Sequence, residues 1–544
     1  MRLPHRLISV WFSLVLLIPL FGCGGGDATQ PQQAPGSIRA TATQSGDDLD
    51  PDGFAVSLDG GSTRVLIPGD TTSFTLLQAG MHSVELSGVA DNCSVDSENP
   101  QSVSLSEGET VTVGFQVGCD EIILAHAVWL QENAVPFQTA DPAYRQGDYS
   151  DLMPLKEIIG DARVVALGEA THGTRQFFQM KHRLLEFLVT ELDFNVFAIE
   201  ATWPESNRID SWVHGAPGNP MTLLSGLYFW TWNTREVLAM IEWMRTHNMG
   251  GGQPTVSFTG FDMQFPGMAI HNVIAFLENV DTAGASLATN RYSCMTPYAN
   301  DPSGAFQNDY ADASNAYQDQ CKAALDEVFS LLESNESAYT AASSPAEFAR
   351  ALRSARVVIQ FEDMKAERTL MARDFYMAEN AEWILDQAGP NSKIVLWAHN
   401  GHVRSAPLWM GSHLHAEYGD DMVIVGFDFY QGSFQAITIS GSGQYLGLDV
   451  HHVGPPPSDS YEAYFSDAKL SLMILDLRGI QFNSPETSWL EGPRAHRSIG
   501  AVFMPSHPEY YFYDARMPQE YDVVIYFQDT QAALGLPYNP PNDW

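Results

Sequence analysis

The stretch VVALGEATHG, Val164 to Gly173, decides how this chain is read. Four apolar residues run into Gly168, followed by Glu169, two small residues, His172 and a second glycine. A short apolar run broken by glycine predicts a buried parallel strand entering a tight turn, with Glu169 and His172 at its carboxyl end. Open α/β sheets bind ligands at that edge. Beyond the turn, Phe177, Met180, Leu184, Leu185 and Leu188 recur at three- and four-residue spacing and predict an amphipathic helix that carries Arg175 and Lys181 in its first turns.

Four more apolar runs repeat the pattern: Phe194 to Glu200, Thr255 to Asp262, Lys393 to Asn400 and Asp421 to Phe429. With helical stretches between several of them, they predict an α/β fold, a mostly parallel sheet with flanking helices. Glu169, Glu200, Asp262, His399 and Asp428 all sit where a run gives way to polar or small residues, which predicts a shared crevice. Helical patterns at Ala313 to Ser334, Pro345 to Phe361 and Arg368 to Gln387 fall in an insertion of about 266–390, expected to act as a helical subdomain or lid. Phe434 to Ile439, Leu470 to Leu477 and Val523 to Phe527 extend the sheet.

Upstream the chain changes character. Arg2, His5 and Arg6 precede an apolar stretch from Leu7 to Leu20, the length of a signal h-region and short for a membrane span. Leu20-Phe21-Gly22-Cys23 resembles a bacterial lipobox, which implies a signal peptide over 1–22 and a lipidated Cys23. Gly24 after that cysteine suits outer-membrane retention, so the expected location is the cell envelope, with membrane contact through Cys23 alone. Residues 23–36 read as a flexible tether. From 37 to 120, Phe54, Val56 and Leu58, Phe74 and Leu76, His82, Val84 and Leu86, and Val111 to Val117 alternate at period two between Gly-rich turns, predicting a small all-β sandwich. That module is a spacer or a binding unit; nothing in it reads as catalytic. The enzyme-like domain spans 122–544. Four cysteines besides Cys23 suit an oxidising compartment, and local pairing gives Cys93 with Cys119 and Cys294 with Cys321. A net charge of -38, from 66 acidic and 28 basic residues, argues against a nucleic-acid partner, since phosphate binding needs a basic footprint.

The chain has no G-x-S-x-G elbow, no H-E-x-x-H helix and no phosphate loop, and both cysteine pairs are spoken for. Histidine and carboxylate remain. A neutral imidazole accepts a proton from water, and a glutamate beside it fixes its tautomer and stabilises the imidazolium. His172 with Glu169 or Glu200 meets that need. A second cluster, WAHNGH from Trp397 to His402, offers His399, Asn400 and His402 to polarise a carbonyl or hold a leaving group, with a helix-capping role open for His402.

GEATHGTRQFFQMKHRLLEFL, FAIEATWPESNRIDSWV, TGFDMQ, RDFYMAENAEWIL, WAHNGHV and PRAHRSIGAVF, in that order, resemble the erythromycin esterase family, from about Ile122 to near Phe527. The resemblance implies an α/β enzyme that opens a macrolide lactone by hydrolysis, with a histidine base and no nucleophilic serine. It places that base on His172, the essential glutamates on Glu169 and Glu200, and the later histidine on His399. The basic residue nine positions after the base, often arginine, is Lys181, which keeps the charge without the planar fork. The resulting expectation is an exported ester or lactone hydrolase with His172, Glu169, Glu200 and His399 as catalytic residues. Lys181, Arg175, Asp262 and His402 are expected to bind substrate, and no metal or other cofactor is required. Two rivals stand beside it: a metal-dependent hydrolase that uses the same Glu/His cluster as ligands, and a non-enzymatic lipoprotein that sequesters a cationic ligand.

Overall fold

The computed structural model describes residues 34–144, 147–299, 310–367 and 370–539. The signal peptide, Cys23, most of the tether and Arg368 lie outside the described residues. The chain divides into two compact units, 1–123 and 124–544.

In the first unit two four-stranded sheets face each other. One pairs Thr71–Leu77, Gly36–Gly46, Thr110–Cys119 and Cys93–Val95; the other pairs Arg64–Leu66, Phe54–Leu58, Gly80–Ser87 and Gln101–Leu105. The period-two residues supply its core: Val56, Phe74, Val84, Leu86, Val113, Phe115 and Val117 are buried. Leu76 breaks the alternation and is 80% exposed, its backbone in the left-handed region at φ 62°. Cys93 and Cys119 are cross-strand partners and form a disulfide. The strand Gly36–Gly46 runs parallel to Thr110–Cys119 and buries Ile38, Ala40 and Ala42.

The second unit is built on a ten-stranded sheet. Its strands are β1 (Val135–Pro136), β2 (Val164–Leu167), β3 (Val196–Thr202), β4 (Ser257–Asp262), β5 (Ile394–Trp397), β6 (Met422–Ile439), β7 (Tyr445–Val453), β8 (Leu472–Asp476), β9 (Val502–Phe503) and β10 (Val523–Thr530). Their order is β4-β3-β5-β2-β6-β10-β8-β1, with β7 and β9 also pairing with β6. The run from β4 to β10 is parallel, and β10-β8-β1 is antiparallel. Every residue of β2, β3 and β5 is buried, as strands covered on both faces require. Although late in the chain, β5 lies between β2 and β3, so the carboxyl ends of these three strands are adjacent.

Alternate side chains serve two layers. Val165, Leu167, Phe197, Ile199, Val395 and Trp397 pack with helices Arg175–Leu192 and Arg235–Met249. Val164, Ala166, Val196, Ala198, Ile394 and Leu396 join the opposite core, which takes in Val273, Leu325, Val328, Val358 and Leu385 of the insertion helices. The insertion comprises Gly267–Val280, Thr282–Tyr292, Asn315–Ser334, Glu336–Ala342, Pro345–Glu367 and Leu370–Ala388. The expected lid is therefore a layer of the core: these helices bury apolar faces against the sheet. Cys294 and Cys321 are bonded within it. Among the described residues no helix is long and apolar enough to cross a membrane.

Candidate active site

Glu169 and His172 leave β2 in the turn the sequence dictates. Gly168 is required there by a close approach: a Cβ would meet Asn400 Oδ1 at 2.1 Å. Asn400 ties the segments that follow β2 and β5 to the middle of β6. Its backbone N–H donates to Glu169 O (2.9 Å), its side-chain Nδ2 donates to Phe427 O (2.8 Å), and its Oδ1 accepts from Phe427 N (3.1 Å). The Asn400 amide is thus spent on backbone and is not available to polarise a carbonyl, a correction to the sequence reading.

Glu169 is fully buried and saturated. Its Oε1 lies 2.8 Å from His172 Nδ1, and its Oε2 accepts from Lys181 Nζ and Trp397 Nε1, each at 2.8 Å. With an acceptor on Nδ1, the neutral His172 ring carries its proton there and leaves a lone pair on Nε2. No partner for Nε2 occurs among the described residues, and the side chain keeps 11% exposure. Lys181 is wholly buried behind Glu169, 4.4 Å over the Trp397 ring. Burial pushes its ammonium down to about 8 against the pull of the Glu169 carboxylate. Lys181 therefore holds Glu169 and does not reach substrate, contrary to the expectation.

Glu200, from β3, is fixed from three sides. Arg373 Nη2 donates to Oε1 (2.8 Å), His399 N donates to Oε2 (2.9 Å), and the Glu200 carbonyl accepts from Trp232 Nε1 (2.9 Å). Burial opposes its ionisation, but the charges of His402, Arg373 and His172 outweigh it and hold the carboxyl below its ordinary range. Arg373 also forks onto Asp262, at 3.2 Å from Nε and 2.7 Å from Nη2. Asp262 is 0% exposed, so it anchors Arg373 and is not a substrate contact.

The two histidines of the second cluster divide their work. His399 caps the helix Asn400–Val403, its Nδ1 accepting from Gly401 N (3.1 Å), while its Nε2 donates to Ile499 O (3.1 Å). Burial, reinforced by His172 and His402, keeps the ring neutral. It lies 4.9 Å from the His172 ring, centroid to centroid, and orients that ring by contact. The capping role considered for His402 belongs to His399. His402 donates from Nδ1 to Asp374 Oδ1 (2.8 Å), and its Nε2 sits 3.0 Å from Arg373 Nη1 and 3.4 Å from Glu200 Oε1. Burial works against the imidazolium, but the Glu200 and Asp374 carboxylates raise its proton affinity.

Arg175 stands apart from this cluster. It donates to Gln531 (3.0 Å), forms an ion pair with Glu236 (3.4 Å) and lines a surface groove of about 600 Å³ with Arg235, Gln435 and Gln531. The sequence reading missed Arg373, Asp374, Trp397 and the Ile499 carbonyl. The first three lie in the quoted motifs RDFYMAENAEWIL and WAHNGHV, and Ile499 lies in PRAHRSIGAVF. The metal rival loses its donors here. Both oxygens of Glu169 and Glu200 and both ring nitrogens of His399 already have protein partners, and among the described residues these three and His172 do not form a ligand cluster.

An imidazole held at one nitrogen by a buried carboxylate and without a protein partner at the other sits at the carboxyl edge of a parallel sheet, where α/β enzymes place their ligands. The chain matches the family model described as Erythromycin esterase over residues 189–530, and it belongs to the erythromycin esterase family. The matched span contains Glu200, Arg373, His399 and His402; Glu169, His172 and Lys181 precede it. Erythromycin esterase type II of Escherichia coli is 25% identical over 391 residues, 65% of this chain and 88% of that protein. A crystal structure of a Bacillus cereus protein is 26% identical, with TM-score 0.64 over 76% of this chain and 98% of its own. An erythromycin esterase mutant in its open conformation shares the fold at TM-score 0.56 and 16% identity, over 72% of this chain and 96% of its own.

Proposed function

We propose that this hydrolase cleaves a carboxylic ester or lactone by direct attack of water, with His172 as the general base. The observation that carries the reading is the His172 ring itself: Nδ1 is locked to Glu169 Oε1 at 2.8 Å and Nε2 is left open. In the reaction Nε2 takes a proton from water as the water oxygen bonds to the carbonyl carbon. Glu169 stabilises the imidazolium that results, and Lys181 and Trp397 keep Glu169 in place. The proton then passes to the leaving alkoxide as the carbon–oxygen bond breaks. Glu200, Arg373 and Asp262 form a rigid charged wall that fixes His399 and His402 around the base.

The lipobox-like segment ending at Cys23 and the disulfides Cys93–Cys119 and Cys294–Cys321 support an exported, lipid-anchored enzyme of the cell envelope. The direct test incubates protein beginning after Cys23 with a panel of macrolide lactones, simpler lactones and linear esters in ¹⁸O-labelled water. The expected product carries one labelled oxygen in its carboxylate. Uptake of ligand with no water added to any member supports the binding-protein alternative instead.

A further inference from the structure

On β6, Phe427 and Phe429 point into one core and Asp428 into the other. There, outside the His172 site, Asp428 meets Glu462 of helix Tyr461–Asp467 and His496 of strand Arg494–Arg497. The three are 1%, 0% and 1% exposed. Each has one polar atom engaged by protein. Asp428 Oδ1 accepts from Phe429 N (2.8 Å), Glu462 Oε1 accepts from Arg497 N, and His496 Nδ1 lies 3.2 Å from the Tyr513 hydroxyl, which gives its own proton to Glu520. His496 therefore donates from Nδ1 and keeps a lone pair on Nε2. The other atoms, Asp428 Oδ2, Glu462 Oε2 and His496 Nε2, have no hydrogen-bond partner, and the three side chains bring one ligand atom each within 4.8 Å of the others.

Three buried, unpartnered donors aimed at one point are costly unless something occupies it. Arg497 offsets them only in part: its charge acts on both carboxyls, but its guanidinium donates to Tyr430 O and Gly454 O, 3.0 Å each, over the rings of Phe429 and Phe512. Arg404, the next cation, pairs with Glu520. We propose that Asp428, Glu462 and His496 bind one divalent first-row transition-metal cation, with Zn²⁺ the best match. Tetrahedral Zn²⁺ with bonds of about 2.1 Å sets its ligands roughly 3.4 Å apart, and Asp428 Oδ2 and His496 Nε2 are 3.5 Å apart. The Tyr513 hydroxyl is the outer-shell partner that such a histidine needs. The ion would join three distant chain segments and brace the strand leading to Ile499, whose carbonyl holds His399.

The test uses protein produced in medium supplemented with Zn²⁺ and passed through EDTA-containing gel filtration, read by native mass spectrometry and thermal unfolding. Wild type is expected to carry one Zn²⁺ and to melt higher than protein refolded without metal. The pair Asp428→Asn with Glu462→Gln should lose both. Tyr513→Phe, which removes only the outer hydroxyl, should bind about 10- to 100-fold more weakly, so the assignment stays testable if the double variant fails to fold. Wild type refolded with Co²⁺ should show visible absorption of a four-coordinate ion. Wild type that holds no metal by either route overturns the proposal, and so does occupancy unaffected by the substitutions. A gain in stability on Glu462→Gln alone would instead assign the cluster to a proton shared between two carboxyls.

Discussion

Lys181 offers a test that a merely structural lysine would fail. Its ammonium is the buried countercharge to Glu169, yet burial lowers it from the ordinary 10.5 to about 8. At pH 9, one unit above that value, roughly one chain in ten keeps the proton. Once Lys181 is neutral, Glu169 faces His172 without a countercharge and the charge balance the base relies on is lost. The wild-type kcat/KM for a neutral ester, corrected for background hydrolysis, should therefore fall about tenfold between pH 7 and pH 9. Lys181→Arg supplies a cation that does not deprotonate in this range, so its profile should stay flat over the same interval. The same group gives a stability readout of fixed sign. Its folded value lies below its unfolded value, so between pH 8 and 10.5 the unfolded chain binds more protons. The Lys181 contribution then rises with pH across that window, by about 3 kcal/mol in full, and is constant below it. Superimposable rate profiles for wild type and Lys181→Arg would refute the reasoning.

Two further substitutions probe the frame. Arg373→Met strands Glu200 and Asp262 as buried carboxylates without their shared cation, and urea denaturation should show a loss of about 3–5 kcal/mol that Arg373→Lys partly restores. Gly168→Ala drives a methyl group into Asn400 Oδ1, and the strained contact should cost about 1–3 kcal/mol and lower kcat by displacing Glu169 and His172; wild-type stability and turnover would show that the approach is not tight.

Much of the sheet was legible because its strands are buried on both faces and read as unbroken apolar runs, and the turn after Leu167 announced its polar residues through Gly168. Less visible was the position of β5 between β2 and β3, a long-range fact that no local pattern encodes. The insertion misled for the same reason: its helices have apolar faces, and only the sheet they cover shows that they form a core layer. In the small domain, Gly36–Gly46 escaped notice because Ala40 and Ala42 carry a weak hydrophobic signal. At the site, charge type was readable and partnership was not. Lys181 and Asp262 proved to be buried partners of Glu169 and Arg373, and Arg373 was invisible as a site residue because it comes from a helix 111 residues beyond Asp262. Asp428 shares the strand-end signature of Glu200, yet its side chain meets Glu462 and His496 rather than the residues around His172.

The account rests on one nitrogen, His172 Nε2, and is tested most directly by kcat of His172→Gln on the best substrate, with circular dichroism to show an intact fold. A positioned general base contributes about 10²- to 10⁴-fold, so a loss in that range, with the residual rate no longer dependent on the state of Lys181, is the predicted result. Turnover within about threefold of wild type, far short of what a general base supplies, would contradict it.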